Sequence, residues 1–194
     1  MHSSFSNSLQ KFLIDEKPKT LQSLIDNFNE KSFAVMFLLL MIIPALPLPT
    51  GGITHVFEII VMLLALELIA GRKSVWLPKK WRIKKLPNII QTSALPKIVK
   101  FISKIERYSR PRLSRILANN YSVRLVGLII FILTLFAFLA PPFSGLDTLP
   151  SLGVVVISLA MIFEDLLLSI AGFIIGVFGI GLVITLGKIV FRLI

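Results

Sequence analysis

The chain has no cysteine among its 194 residues. That excludes disulfides, thiol nucleophiles and thiolate metal sites. Histidine is nearly as scarce. His2 lies in a polar N-terminal stretch, so a metal centre would have to come from His55 and carboxylates alone. Acids number 10 against 21 Lys and Arg. No nucleophile–base pair and no metal set is visible, so the expectation is a protein that is not an enzyme and that carries no cofactor and no metal. The residues from His2 to Gln10 are polar, with no basic start ahead of an apolar run, so no cleavable signal peptide is expected.

What the chain does have is apolar bulk. Hydrophobic residues make up 55% of it, and mean hydropathy is +0.86. An ordinary soluble domain does not carry that composition, whereas a multi-pass membrane protein does. The net charge of +11 is concentrated in one place. Between Arg72 and Arg124 there are 15 Lys or Arg and one acid, Glu106, which leaves 6 Lys or Arg and 9 acids for the rest. This pattern points to a cytoplasmic linker facing anionic lipid headgroups rather than to nucleic acid, because positive loops stay inside. Lys79, Lys80, Arg82, Lys84, Lys85, Arg110 and Arg112 are the expected headgroup contacts, with Trp76 and Trp81 among them at the interface.

Two apolar segments are each broken by proline and glycine. The first runs from Phe33 to Ala70 and breaks over residues 44–52, with Pro47, Pro49, Thr50, Gly51 and Gly52 in the break. The second runs from Leu125 to Phe163 and breaks at Pro141, Pro142, Ser144 and Gly145, with Asp147 and Pro150 following. Residues 33–46 give a helix of about 21 Å and residues 55–70 one of about 24 Å at 1.5 Å per residue, against a hydrocarbon core of about 30 Å. Each segment therefore reads as a re-entrant or V-shaped hairpin whose tip is the irregular break. Such backbone survives at membrane depth only where protein or a cavity shields it. A pair of interrupted segments in corresponding positions marks a binding site in transporter-like folds.

The second hairpin looks like a copy of the first. Phe37–Pro47 falls on Phe131–Pro141 at an offset of 94, and Gly52–Arg72 falls on Gly145–Asp165 at 93. Arg72 then stands where Asp165 stands, and an ion pair between Arg72 and Glu164 or Asp165 would follow from packing about a pseudo-twofold axis. At the tips, His55 and Glu58 share a helix face, suited to a proton relay or a weak metal pair, or to plain hydration with Glu58 satisfying loop amides. Asp147 suits a cation or a proton, or an N-cap. The tip glycines and the helix N-termini behind them suit an anion such as a lipid headgroup, or tight turns alone.

The expected fold class is an all-α integral membrane protein with two broken hairpins, interfacial amphipathic helices and a C-terminal transmembrane helix. Residues 1–20 read as a flexible tail and residues 21–194 as one membrane domain. Within it, 21–73 is repeat one, 74–124 the basic linker, 125–165 repeat two and 166–194 the terminal helix. Thr20 is placed to cap a helix from Leu21, and Pro96 opens an amphipathic helix to about Tyr108. Leu166–Gly187 carries no charge over 22 residues and is the one unambiguous span. Its Gly172 and Gly176 fit small-xxx-small packing, either within the chain or across a homodimer.

The order of several short motifs resembles a known family. These are Leu46-Pro47-Leu48-Pro49, Leu66-Glu67-Leu68-Ile69-Ala70-Gly71-Arg72, Val75-Trp76-Leu77-Pro78, Arg110-Pro111-Arg112-Leu113, Ala140-Pro141-Pro142-Phe143, Leu149-Pro150 and Glu164-Asp165. The chain is similar, from about Leu21 to its end, to the ExoD family of bacterial exopolysaccharide synthesis proteins. The resemblance implies a bacterial inner-membrane protein linked to exopolysaccharide production, and it implies no catalytic mechanism. Two functions fit. One is transport-type action on a lipid-linked polysaccharide precursor, a lipid headgroup or an ion at the hairpin tips. The other is a non-transporting scaffold that organises synthesis enzymes through the basic linker.

Overall fold

The structure, a computed structural model, describes residues 5–14, 20–28, 31–47, 53–76, 78, 83, 95–106, 119–141 and 144–193. Among these the regular elements are all helical: α1 (Phe5–Ile14), α2 (Leu21–Phe28), α3 (Ser32–Met41), α4 (Ile53–Ile69), α5 (Leu95–Glu106), α6 (Asn120–Leu139), α7 (Thr148–Phe163) and α8 (Leu166–Leu193).

The flexible tail expected over residues 1–20 is corrected by α1. Phe5 and Leu9 lie one turn apart on the same face. Leu9 is buried, and the Phe5 ring stands 5.2 Å from that of Phe28. The Phe5 N–H donates to the Glu106 carboxylate at 2.7 Å, which ties α1 to the end of α5. Thr20 caps α2 as expected. The Ser23 N–H donates to Thr20 Oγ1 at 3.1 Å and the Thr20 N–H to Ser23 Oγ at 2.9 Å, a reciprocal cap. Thr20→Ala should lower stability by about 1 kcal/mol, read from the thermal midpoint in detergent.

The two hairpins interlock. In each, the first arm packs on the second arm of the other, so α3 lies on α7 and α6 on α4. α3 ends at Met41, earlier than the expected Leu46, because Pro44 offers no N–H and its ring crowds the turn before it. α6 is longer than expected. It begins at Asn120, where the Asn119 side chain accepts the Tyr121 N–H at 3.2 Å. Among the described residues two helices are therefore long and apolar enough to cross a membrane, Asn120–Leu139 and Leu166–Lys188, where composition alone singled out the second.

Apolar residues are distributed unlike those of a soluble bundle. α3 and α7 are buried nearly all round. α4, α6 and α8 turn large apolar side chains outward, among them Leu63 at 59%, Leu125 at 57% and Phe178 at 64% exposure.

Both hairpins close alike at their open ends. α4 ends in a turn where the Arg72 N–H reaches the Glu67 carbonyl at 3.1 Å and Gly71 takes φ +85°. α7 ends where the Asp165 N–H reaches the Ala160 carbonyl at 3.1 Å and Glu164 takes φ +56°. These are the same helix-ending bond five residues back, with a left-handed residue inside it. Gly71 and Glu164 correspond at the offset of 93 read from the sequence.

A glycine seam sets the height of the tips. A β-carbon on Gly172 would stand 2.8 Å from Ile157 N, one on Gly153 2.7 Å from Gly176 Cα, and one on Gly179 2.7 Å from Pro150 N. The antiparallel register 157–172, 153–176, 150–179 is thereby fixed. Gly172 and Gly176 thus pack within the chain. α8 runs on for 14 residues beyond Gly179, about 21 Å. The start of α7 reaches only about halfway along α8.

Candidate functional site

The site is built at the hairpin tips from α4 and the turn before α7. Thr54, His55 and Glu58 occupy the first turns of α4. The Glu58 side chain is fully buried, and its Oε2 lies 2.8 Å from His55 Nδ1. The other carboxylate oxygen, Oε1, is buried with no hydrogen-bond partner. The His55 side chain is 24% exposed, so it bridges the buried carboxylate and the surroundings. Its ring stands 5.2 Å from that of Phe138 on α6.

Asp147 arrives from the other hairpin. Its backbone is helical (φ −66°, ψ −22°) and its side chain makes no capping bond, so of the two sequence-level roles the N-cap is not the one observed. Its carboxylate faces the Thr54 hydroxyl and the His55 ring, and Glu58 feels its charge. On the next residue and one turn on, Thr148 Oγ1 and Ser151 Oγ are also buried without partners. Uncompensated buried polar atoms cost roughly 1–3 kcal/mol each, so three of them in one region of a small protein call for an occupant or a function. No group of three or more ligating side chains suited to a metal ion occurs among the described residues.

The remaining tip residues shape turns. Ser144 Oγ donates to the Pro141 carbonyl at 2.6 Å and accepts the Leu146 N–H at 3.2 Å. Gly145 takes φ +67° in an exposed turn. Pro47 and Pro141 are exposed, while Pro150 is buried against Gly179. Pro49, Thr50, Gly51, Gly52 and Pro142 lie outside the described residues, as do Lys79, Lys80, Arg82, Lys84, Lys85, Arg110 and Arg112.

The ion pair expected at the hairpin ends forms with a different cation. Lys31 Nζ lies 3.3 Å from Glu164 Oε1 and donates to the Ile162 carbonyl at 2.7 Å. Arg72 lies over the Trp76 ring at 5.5 Å. Asp165 accepts the Leu167 N–H at 3.0 Å and so starts α8. On the opposite hairpin the Arg124 guanidinium lies against Gly71. Each first arm thus brings a cation to the closing turn of the other hairpin's second arm, where carbonyl dipoles favour positive charge. Sequence reasoning missed this pair, although Lys31 and Arg124 are 93 residues apart, the same offset as Gly71 and Glu164.

The family model described as "Exopolysaccharide synthesis, ExoD" matches residues 5–185. The chain belongs to the ExoD family. It is 29% identical over 157 residues to Protein ExoD of Rhizobium meliloti, covering 79% of this chain and 64% of that protein. It is 28% identical over 153 residues to the uncharacterized protein slr1875 of Synechocystis sp., covering 77% of this chain and 69% of that protein. The chain thus spans about two thirds of the length of these curated relatives. No solved structure matches it. The ExoD family is linked by name to exopolysaccharide synthesis.

Proposed function

We propose that this ExoD-family chain is a multi-pass protein of the bacterial inner membrane that supports exopolysaccharide synthesis by transport-type action, without catalysing a reaction. Its site is the meeting point of the two hairpin tips. The observation that carries the reading is the convergence of Thr54, His55 and Glu58 with Asp147, just ahead of an α7 that starts level with the middle of α8, with Glu58 Oε1 buried and unpartnered. A buried carboxylate inside an apolar bundle is retained for function, because its burial costs stability. The outward apolar faces of α4, α6 and α8 suit lipid, and the positive charge of the stretch 72–124, which joins the open ends of the hairpins, supports a cytoplasmic location for that end. In this arrangement both hairpins enter from the cytoplasmic side and their tips stop inside the bilayer. Irregular backbone at that depth is tolerated because neighbouring helices shield it. The cargo classes that fit are a lipid-linked precursor, a lipid headgroup or an ion.

The test is exopolysaccharide yield in a strain lacking its own copy, paired with flux in liposomes. Glu58→Gln and Asp147→Asn should each reduce both by at least about tenfold, the scale of one lost charge-assisted contact. Wild-type yield and flux from both variants would end the site assignment. A yield lost on neutralising the basic linker, with Asp147→Asn silent, would favour a scaffold instead.

A further inference from the structure

We infer that Glu58, His55 and Asp147 form a proton-binding site, with Glu58 as the carrier carboxyl and the other two as its exchange partners. The inference rests on the transport reading for its place in a cycle, but its chemistry stands on the geometry alone.

The 2.8 Å contact between Glu58 Oε2 and His55 Nδ1 serves both protonation states. With Glu58 ionised, the imidazole N–H donates to the carboxylate. With Glu58 protonated, its O–H donates to the bare imidazole nitrogen. The pair thus has two hydrogen-bonded arrangements that differ by one proton. The neighbours are right for exchange. Glu58 is wholly buried, His55 is 24% exposed and Asp147 is half-buried, so the three form a graded path from the surroundings to the interior. A proton arriving from water adds to the Glu58 carboxylate through His55 or Asp147 and leaves by the same groups. No other reactant is consumed.

Among the described residues no fixed cation competes for Glu58. α3 and α7 carry no charged residue. The single charge of α6 is Arg124, which lies on Gly71 at the far end. On α4 the other acid is Glu67, whose carboxylate accepts the Trp76 N–H at 2.9 Å, also at the far end. α8 has no charge before Lys188. Lys31, which precedes α3, is held by Glu164. The titratable groups facing Glu58 are therefore His55 from its own helix and Asp147 from the opposite hairpin. A permanently paired carboxylate could not release and rebind a proton, whereas among the described residues this one has only titratable neighbours. The anion alternative loses ground here, because the first turns of α4 and α7 already present Glu58 and Asp147.

The test is pH-dependent modification of the full-length protein in liposomes by a hydrophobic carbodiimide. This reagent adds to a protonated carboxyl in apolar surroundings and leaves a stable acylurea, read by peptide mass spectrometry. Glu58 should be modified, with the adduct falling at least about tenfold between about pH 5 and about pH 9 as the carboxyl ionises. His55→Ala and Asp147→Asn should each move the midpoint of that profile, which a purely structural role would not do. The wild-type measurement needs no variant to fold, and the variants are checked by their elution in detergent. An absent Glu58 adduct, a pH-independent one, or a midpoint unmoved by both substitutions would overturn the proton site. An absent adduct with exopolysaccharide yield still lost in Glu58→Gln would overturn the proton site and keep the transport reading. A pH-dependent adduct with normal exopolysaccharide yield in Glu58→Gln and Asp147→Asn would support the proton site and end the transport reading.

Discussion

Gly153→Leu should leave the chain without its native packing, the largest stability effect expected of any single substitution here. Even the first added carbon meets backbone. It would stand 2.7 Å from Gly176 Cα and 2.8 Å from the Gly172 carbonyl oxygen, neither of which can rotate aside. A leucine adds three more carbons to the same gap. Ordinary overpacking costs about 1–3 kcal/mol, and this case exceeds it because two helix backbones, rather than side chains, must separate. The α7–α8 pair that would open is the most extensive helix contact among the described elements, and it carries Pro150 and Ser151 beside the site. The control is Gly181→Ala. Open space surrounds that position, so alanine should be neutral or should stabilise by up to about 1 kcal/mol through helix propensity. Thermal unfolding in detergent, with helicity followed by circular dichroism, separates the two. Equal midpoints for Gly153→Leu and the unsubstituted chain would contradict the register.

A crosslink tests the meeting of the tips directly. The chain has no cysteine, so the pair Thr54→Cys with Asp147→Cys introduces the only thiols. The Asp147 carboxylate lies beside the Thr54 hydroxyl, and a disulfide here requires that the two α-carbons come within about 7 Å. A protease site placed in the linker between residues 84 and 94 would cut the chain between the hairpins. After mild oxidation nearly all of the cut protein should run as one species, and reduction should release two fragments. Thr54→Cys paired with a cysteine at Gly187, past the level where α7 begins, should give no crosslink. Two fragments from the first pair before reduction would place the tips apart and remove the basis of the site.

Much of the chain can be read without its tertiary structure, because the causes act locally. Hydrophobic runs form the helices, Pro44 and Pro141 interrupt them, and Thr20 and Pro96 mark helix starts through groups a few residues away. The +93 offset and the basic linker are equally visible. Helix α1 was within reach too. The i, i+4 pair Phe5 and Leu9 carries the signal, but polar composition hid it. Family membership follows from the order of short motifs, and the match over residues 5–185 bears it out.

The sequence by itself determined where the chain is apolar, where it breaks and which stretch is positive, since each is a property of neighbouring residues. Only the tertiary structure decided which ends meet. Lys31 rather than Arg72 reached Glu164, Asp147 came to face Thr54 instead of capping its own helix, and Glu58 was left with one unpartnered oxygen. The contacts behind the first two join residues far apart in the chain, Lys31 with Glu164 and Thr54 with Asp147. They are set by how closely α8 can approach α7 along bare glycine backbone, and no local periodicity records that distance.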